Sequence, residues 1–289
     1  MLPTLTSVQN TSVKRWASLQ TSKGRKQHRQ TLAEGEKACT LALQAGLDIE
    51  ALLISEATGD EATFPAFSEA LLAAYQQHPS PPPWQPVSSA VFQKIATTQT
   101  PPPVMAVVST QGWVQQGKVN SLPLQPLLVL DGLQDPGNVG TLYRLAKAFG
   151  VSHVVGIPPW QDVTHPKVIR SHTGLGFGLH TLISDEDTAH TLARLHQAGW
   201  QVLLATAEAA TPYTQLTLNP HQPWALVLGQ EGGGLRLSAE ARRYPELQHC
   251  QGVSVPMCDE AESLNVATCG AILLSHLFQQ GVHQESGRQ

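Results

Sequence analysis

The chain predicts an α/β fold, with a mostly parallel sheet in the C-terminal half preceded by a smaller layered α/β domain. Three observations lead there. Short Val/Ile/Leu runs in the second half do not alternate with polar residues, the pattern of strands covered on both faces. Stretches of helical periodicity lie between those runs. Three loops bearing Gly, Pro or Asn sit where strands would end: DGLQDPGNVGTLYR (131–144), LGQEGGGL (228–235) and VPMCDEAESLNVATCGAILL (255–274). In open α/β sheets ligands gather at such strand ends, near a topological switch point.

Taken in order, residues 8–20 carry helical spacing and 36–45 form a second helix, which Gly46 ends. Residues 49–54 read as a strand and 67–75 as an amphipathic helix, followed by the loop HPSPPPW (78–84). A short helix over 90–96 and a strand over 104–109 complete a first domain, 1–110, and 111–125 reads as a linker. The second domain, 126–289, has strands at 127–130, 153–157, 201–205, 225–228 and 253–255. Its helices fall at 139–149, 163–172, 189–198 and 263–279. The last is apolar on nearly every side (Leu264, Val266, Ala267, Ile272, Leu273, Leu274, Leu277, Phe278). A helix of that kind needs cover all round, from the sheet and from a second subunit, which predicts a homodimer.

Composition narrows the function classes. The 289 residues allow two domains. No apolar stretch approaches the length of a membrane span, and the first residues lack the apolar core of a secretory signal. The four cysteines (Cys39, Cys250, Cys258, Cys269) form no CxxC, so reduced thiols in a cytoplasmic protein are expected. The twelve histidines show no metal spacing, and no metal site is predicted. A net charge of −4 argues mildly against a nucleic-acid partner. However, residues 1–32 hold Lys14, Arg15, Lys23, Arg25, Lys26 and Arg29 with no Asp or Glu. Such a run is either a phosphate-contacting surface or a solvated helix face.

The three loops carry the chemistry. Pro136 and Gly137 make a rigid turn, and Asn138 can cap the helix that follows. Arg144 reads either as a surface arginine or as a guanidinium that grips phosphate at two points. In the second loop Glu231 stands among glycines that let a backbone approach a ligand. In the third, Ser263 can cap the last helix and Asn265 offers both a donor and an acceptor. GLGFG (174–178) does not read as a dinucleotide site, since no strand leads into it and no fitting acidic residue follows.

In this order, with Asn138 and Arg144 six apart after Asp-Pro, a Gly-x-Glu-Gly turn, and Pro-Met followed by Ser-Leu-Asn, these segments resemble the SpoU/TrmH class of RNA 2′-O-ribose methyltransferases in the SPOUT superfamily. The resemblance covers about the last 165 residues closely and the first 110 loosely. It implies a SPOUT-type knotted parallel-sheet catalytic domain, a topology that general rules disfavour, behind a small L30e-like RNA-binding domain. It implies S-adenosylmethionine as cofactor and RNA as substrate, ribosomal rather than transfer RNA.

The resemblance also assigns residues. Asn138, Arg144, Glu231, Ser263 and Asn265 would form the active site; Gly229, Val255, Leu264 and, secondarily, Met257 would contact the cofactor. Arg144 would sit at the ribose hydroxyl or its phosphate, either taking the proton or stabilising a developing alkoxide. RSHTG (170–174) resembles the family's Arg-Ala-Ser-x-Gly stretch and keeps Arg170 as a phosphate contact, with His172 where Ser is usual. Gln230 stands where the family usually has Asn. A non-catalytic RNA-binding or assembly protein, a transfer-RNA enzyme and a nucleotide-dependent oxidoreductase are the rival readings.

Overall fold

The computed structural model describes residues 2–56, 67–230, 234–236, 245–258, 260 and 263–286. It divides into two units, one made of 1–113 with 162–178 and the other of 114–161 with 179–289.

The first unit is built on a four-stranded sheet. Its strands are β1 (Gln30–Glu34), β2 (Ile49–Ser55), β3 (Trp84–Val87) and β4 (Val104–Ser109), in the order β1-β4-β2-β3. β4 runs antiparallel to both its neighbours, while β2 and β3 are parallel. Helices α1 (Thr11–Ser18), α3 (Glu36–Gln44), α4 (Glu69–Gln77) and α5 (Ser89–Ile95) cover it, and one core joins Val13, Trp16, Leu53, Phe92, Ile95 and Met105. α1 starts where Asn10 accepts from the Ser12 amide at 2.9 Å, the usual end cap.

Helix α2 (Ser22–His28) has no apolar residue on its sequence SKGRKQH, and its buried face is Gly24 and Arg25. A Cβ on Gly24 would lie 2.1 Å from the Ser18 carbonyl oxygen, so only glycine lets the helix come this close. Arg25, 2% exposed, donates to Asp162 (2.8 Å) and Thr164, and to the carbonyls of Leu19 and Gln20. This corrects the expectation for Arg25. Its guanidinium is spent inside the unit, so the basic run is not uniformly a surface.

The segment 162–178 continues in this unit. It carries α7 (Pro166–Ser171), which packs against β1. Thr31 Oγ1 donates to the Thr164 carbonyl at 2.6 Å. His172 is fully buried, and its Nδ1 accepts from the amides of Gly174 (3.0 Å) and Gly176 (3.2 Å). The ring proton therefore sits on Nε2. Burial pushes the His172 pKa down to about 4, and protonating Nδ1 would set a donor against two donors. At Gly174 (φ +86°) a Cβ would crowd the Ala38 backbone at 3.0 Å. His172 thus shapes a left-handed turn from within, where the family motif would suggest a hydroxyl.

The second unit is a seven-stranded, all-parallel sheet. Its strands are β5 (Val114–Gly117), β6 (Leu127–Asp131), β7 (His153–Ile157), β8 (His180–Ser184), β9 (Gln201–Ala205), β10 (Trp224–Leu228) and β11 (Gln251–Val253), in the order β11-β9-β10-β6-β7-β8-β5. The five expected strands are present, and β8 and β5 are additions; β5 lies within the stretch read as a linker. β6 and β10 are buried along their whole length, as a doubly covered strand requires. Helices α6 (Pro136–Ala148), α8 (Thr188–Gln197) and α9 (Val266–Ser286) complete the layers.

After β11, at one edge, the chain returns to the middle, where α9 packs on α6. A Cβ on Gly270 would lie 2.4 Å from Leu142 and 3.0 Å from Leu228, so α9 is seated hard against α6 and strand β10. Leu273, Leu274 and Leu277 are buried, whereas Phe278 stays 43% exposed. Among the described residues no helix is long and apolar enough to cross a membrane.

The Arg25–Asp162 pair sets a testable stability. Burial alone would raise the Asp162 pKa, but hydrogen bonds from Thr164 and Arg25 and the guanidinium charge outweigh it and hold it below the usual carboxylate value. A depressed folded-state pKa contributes stability that is present above the unfolded value near pH 4 and is lost as pH falls through the folded one. Asp162→Asn should therefore cost on the order of 3 kcal/mol at pH 7, because it strands a buried arginine. The gap to wild type should narrow below about pH 4. Urea unfolding of both proteins across pH 3–7 checks this, and a constant gap would contradict it.

Candidate active site

The strand order of the second unit's sheet turns between β6 and β10: from β6 the chain moves to β7 and β8 on one side, and β10 and β9 lie on the other. This is the switch point at which open α/β sheets bind ligands. A cleft of about 210 Å³ opens there, lined by Gly132, Leu133, Gln134, Asp135, Asn138, Gln230 and Val266. Each of the three sequence-predicted loops contributes to it.

The first loop begins with Asp131 at the end of β6, fully buried. Gly132 follows with φ +72°, and a Cβ there would meet Arg236 Nε at 2.5 Å and Gln230 Nε2 at 2.6 Å. Glycine is required both for the turn and for that approach. Asp135, not Asn138, caps α6: its Oδ1 accepts from the Asn138 amide at 2.7 Å, and Pro136 fills the first helical position. The Asn138 side chain is thereby released from capping. Its Oδ1 accepts from Asn265 Nδ2 at 3.0 Å.

Asn265 rather than Ser263 caps the last helix, accepting from the amides of Ala267 (3.0 Å) and Thr268 (3.2 Å). One asparagine therefore both starts α9 and ties the third loop to the first. Ser263 is exposed, and Val255, Met257 and Leu264 are half-buried; none of the four lines the cleft.

The second loop is closed at its neck. Gln230 and Gly234 exchange two backbone hydrogen bonds (2.9 and 3.0 Å), and Gln230 Nε2 donates to the Gly132 carbonyl at 3.0 Å. The glutamine found in place of the family's usual asparagine thus reaches across to the first loop. A Cβ on Gly229 would lie 2.4 Å from the Gly234 oxygen. The chain's own neck, rather than a ligand's approach, makes that position intolerant of a side chain. Glu231 lies outside the described residues.

Arg144 is exposed on α6, with no hydrogen-bond or ion-pair partner among the described residues. Six residues of helix rotate it about 120° from Asn138 and carry it about 9 Å along the axis. The two conspicuous residues of the motif therefore face different directions.

In the first unit, Lys14, Lys23, Lys26 and Arg29 are exposed. Arg15 pairs with Glu50, and Arg170 donates to Thr97 Oγ1 at 2.6 Å while remaining exposed. Sequence reasoning did not single out Asp131, Gln134, Asp135 or Arg236. The signal for Asp131 was its position at the end of an unbroken apolar run, where a carboxylate must find a partner.

The cleft suits a ligand with both apolar and polar parts. Leu133 and Val266 give it an apolar wall, and Gln134, Asp135, Asn138 and Gln230 give it polar groups. Of the cysteines, burial pushes Cys250 up to about 11 and raises Cys269 and Cys39, so these three are inert thiols. No group of three or more potential metal ligands occurs among the described residues.

Comparison with known proteins defines the class. The SpoU rRNA Methylase family model matches residues 125–275, and the model of an MRM3-like substrate binding domain matches residues 10–106. The chain belongs to the SpoU rRNA methylase family. It is 28% identical to the 23S rRNA (guanosine(2553)-2′-O)-methyltransferase RlmP of Bacillus subtilis, over 94% of this chain and 97% of that one. It is 32% identical to the uncharacterized tRNA/rRNA methyltransferase slr1673 of Synechocystis sp., over 96% and 94% of the two chains. A crystal structure of an RNA 2′-O ribose methyltransferase superposes with a TM-score of 0.73 at 28% identity, covering 97% of this chain and all of the other.

Proposed function

We propose that this protein transfers a methyl group from S-adenosylmethionine to a ribose 2′-hydroxyl of RNA, with ribosomal RNA as the substrate, in the cytoplasm. The observation that carries this reading is the cleft at the β6/β10 switch point, where Asn138 of the first loop accepts from Asn265 of the third, in a chain of the SpoU rRNA methylase family. The substrate choice draws on the names of its relatives, RlmP foremost.

When bound, S-adenosylmethionine supplies a methyl group already activated on a sulfonium. The protein's work is therefore to align and polarise the hydroxyl, and alignment alone contributes up to about 7–11 kcal/mol in model reactions. The turn at 132–135, Gln230 and Val266 would hold the cofactor, with backbone help from Gly229, Val255 and Leu264 and a side-chain contact from Met257. Asn138 and Asn265 fix the mouth of the cleft, with Ser263 and Glu231 completing the site. Arg144, which does not line the cleft, acts on the RNA. A guanidinium is a poor proton acceptor, so it grips phosphate and stabilises the developing alkoxide.

In the first unit the exposed Lys14, Lys23, Lys26, Arg29 and Arg170 supply phosphate contacts. Arg15 and Arg25, both engaged in ion pairs, contribute to its structure. A second copy of the chain covers the apolar patch where Phe278 meets Phe149, at a ring separation of 6.0 Å. Light scattering should give twice the 31.1 kDa chain mass; a monomer at micromolar concentration would count against the dimer.

Two further outcomes are expected. Arg144→Ala should abolish methylation of rRNA while S-adenosylhomocysteine affinity by calorimetry stays within about twofold; near-normal turnover would sink this role. Lys23/Lys26/Arg29→Ala should weaken RNA binding and flatten its salt dependence, by roughly 0.7 in log–log slope for each phosphate of a single strand that is no longer neutralised. Identical slopes would mean a merely solvated face.

A further inference from the structure

The described residues hold one fully buried carboxylate that the reaction above leaves unused. Asp131 accepts from Thr188 Oγ1 at 2.7 Å. Every other bond it receives among the described residues comes from Arg236: the backbone amide at 2.7 Å, Nε at 3.0 Å and Nη2 at 2.7 Å. The same Nη2 donates to the Pro158 carbonyl at 2.7 Å, so one guanidinium spans the ends of β6 and β7.

Arg236 follows the neck of the glycine loop by two residues, and its side chain lies over Gly132, a wall of the cleft. Gln230 ties the opposite stem of that neck to the Gly132 carbonyl. Both stems are thus anchored on the same two residues, 131 and 132, from which the cleft begins.

We propose that Arg236 is a positioning residue for the cofactor: clamped on Asp131, it holds the stem that follows the glycine loop at the end of β6 and fixes the shape of the cleft. A planar fork is needed, because two nitrogens of the guanidinium serve Asp131 while one of them also reaches β7; lysine has a single nitrogen. The clamp does not touch Arg144, the residue of this unit assigned to the RNA, so it acts on cofactor binding and not on RNA. The proposal rests on the S-adenosylmethionine reading of the cleft.

The test is calorimetry with S-adenosylhomocysteine on the full chain, together with steady-state methylation and thermal unfolding. Arg236→Ala should raise the S-adenosylhomocysteine Kd about tenfold or more, as misplacement of a supporting group does. Its KM for RNA should stay within about twofold of wild type. Arg236→Lys should recover part of the affinity, since it keeps the charge, with its backbone amide still on Asp131. A folded Arg236→Ala protein with wild-type Kd overturns the proposal. So does a Kd defect that disappears when measured well below the melting temperature, which would reveal a stability effect alone. Failure of the wild type to bind S-adenosylhomocysteine overturns the cofactor reading and this proposal with it.

Discussion

A charge buried at the end of the central strand constrains the catalytic unit. An isolated carboxylate inside a protein costs several kcal/mol unless it is paired and hydrogen-bonded. β6 ends in such a carboxylate, fully buried. Its partners come from the start of α8 and from beyond the glycine loop, segments about 57 and 105 residues away in sequence. Satisfying it brings those segments to the end of β6. The turn at Gly132, the seat of the loop and the wall of the cleft then follow from sterics: the space above that glycine is already filled.

The parts of this architecture that were legible in the sequence are those whose stability is written in apolar residues. The strands 153–157 and 201–205 and the strand 104–109 have the bounds their Val/Ile/Leu runs imply. Strands β5 (VQQG) and β8 (HTLIS) were not legible, because an edge strand and its neighbour are held by backbone pairing and carry little apolar signal. Helix α2 was illegible for a related reason, since a glycine and a buried arginine occupy the inner face where periodicity looks for leucines. At the site, each of the three loops of the motif lines the cleft, but the helix caps fall on other residues than those expected. Asp135 outcompetes Asn138, and Asn265 outcompetes Ser263, because each lies immediately before its helix and reaches amides two or three residues on.

Charge shows the same limit. Six cations in 32 residues look alike in one dimension. In the fold they separate into a structural pair, Arg15 and Arg25, and an exposed group. What distinguishes them is the carboxylate each meets, Glu50 or Asp162, and Asp162 lies 137 residues from Arg25 in sequence.

That separation has a consequence for the substrate-binding unit as an object. Its boundary in space is not a boundary in the chain, because residues 162–178 belong to it. A fragment ending at residue 113 would carry Arg25 without its carboxylate, Thr31 without its acceptor and β1 without α7. In the order of synthesis, residues 114–161 of the catalytic sheet are made between the two parts of this unit. The two units are thus interleaved along the chain.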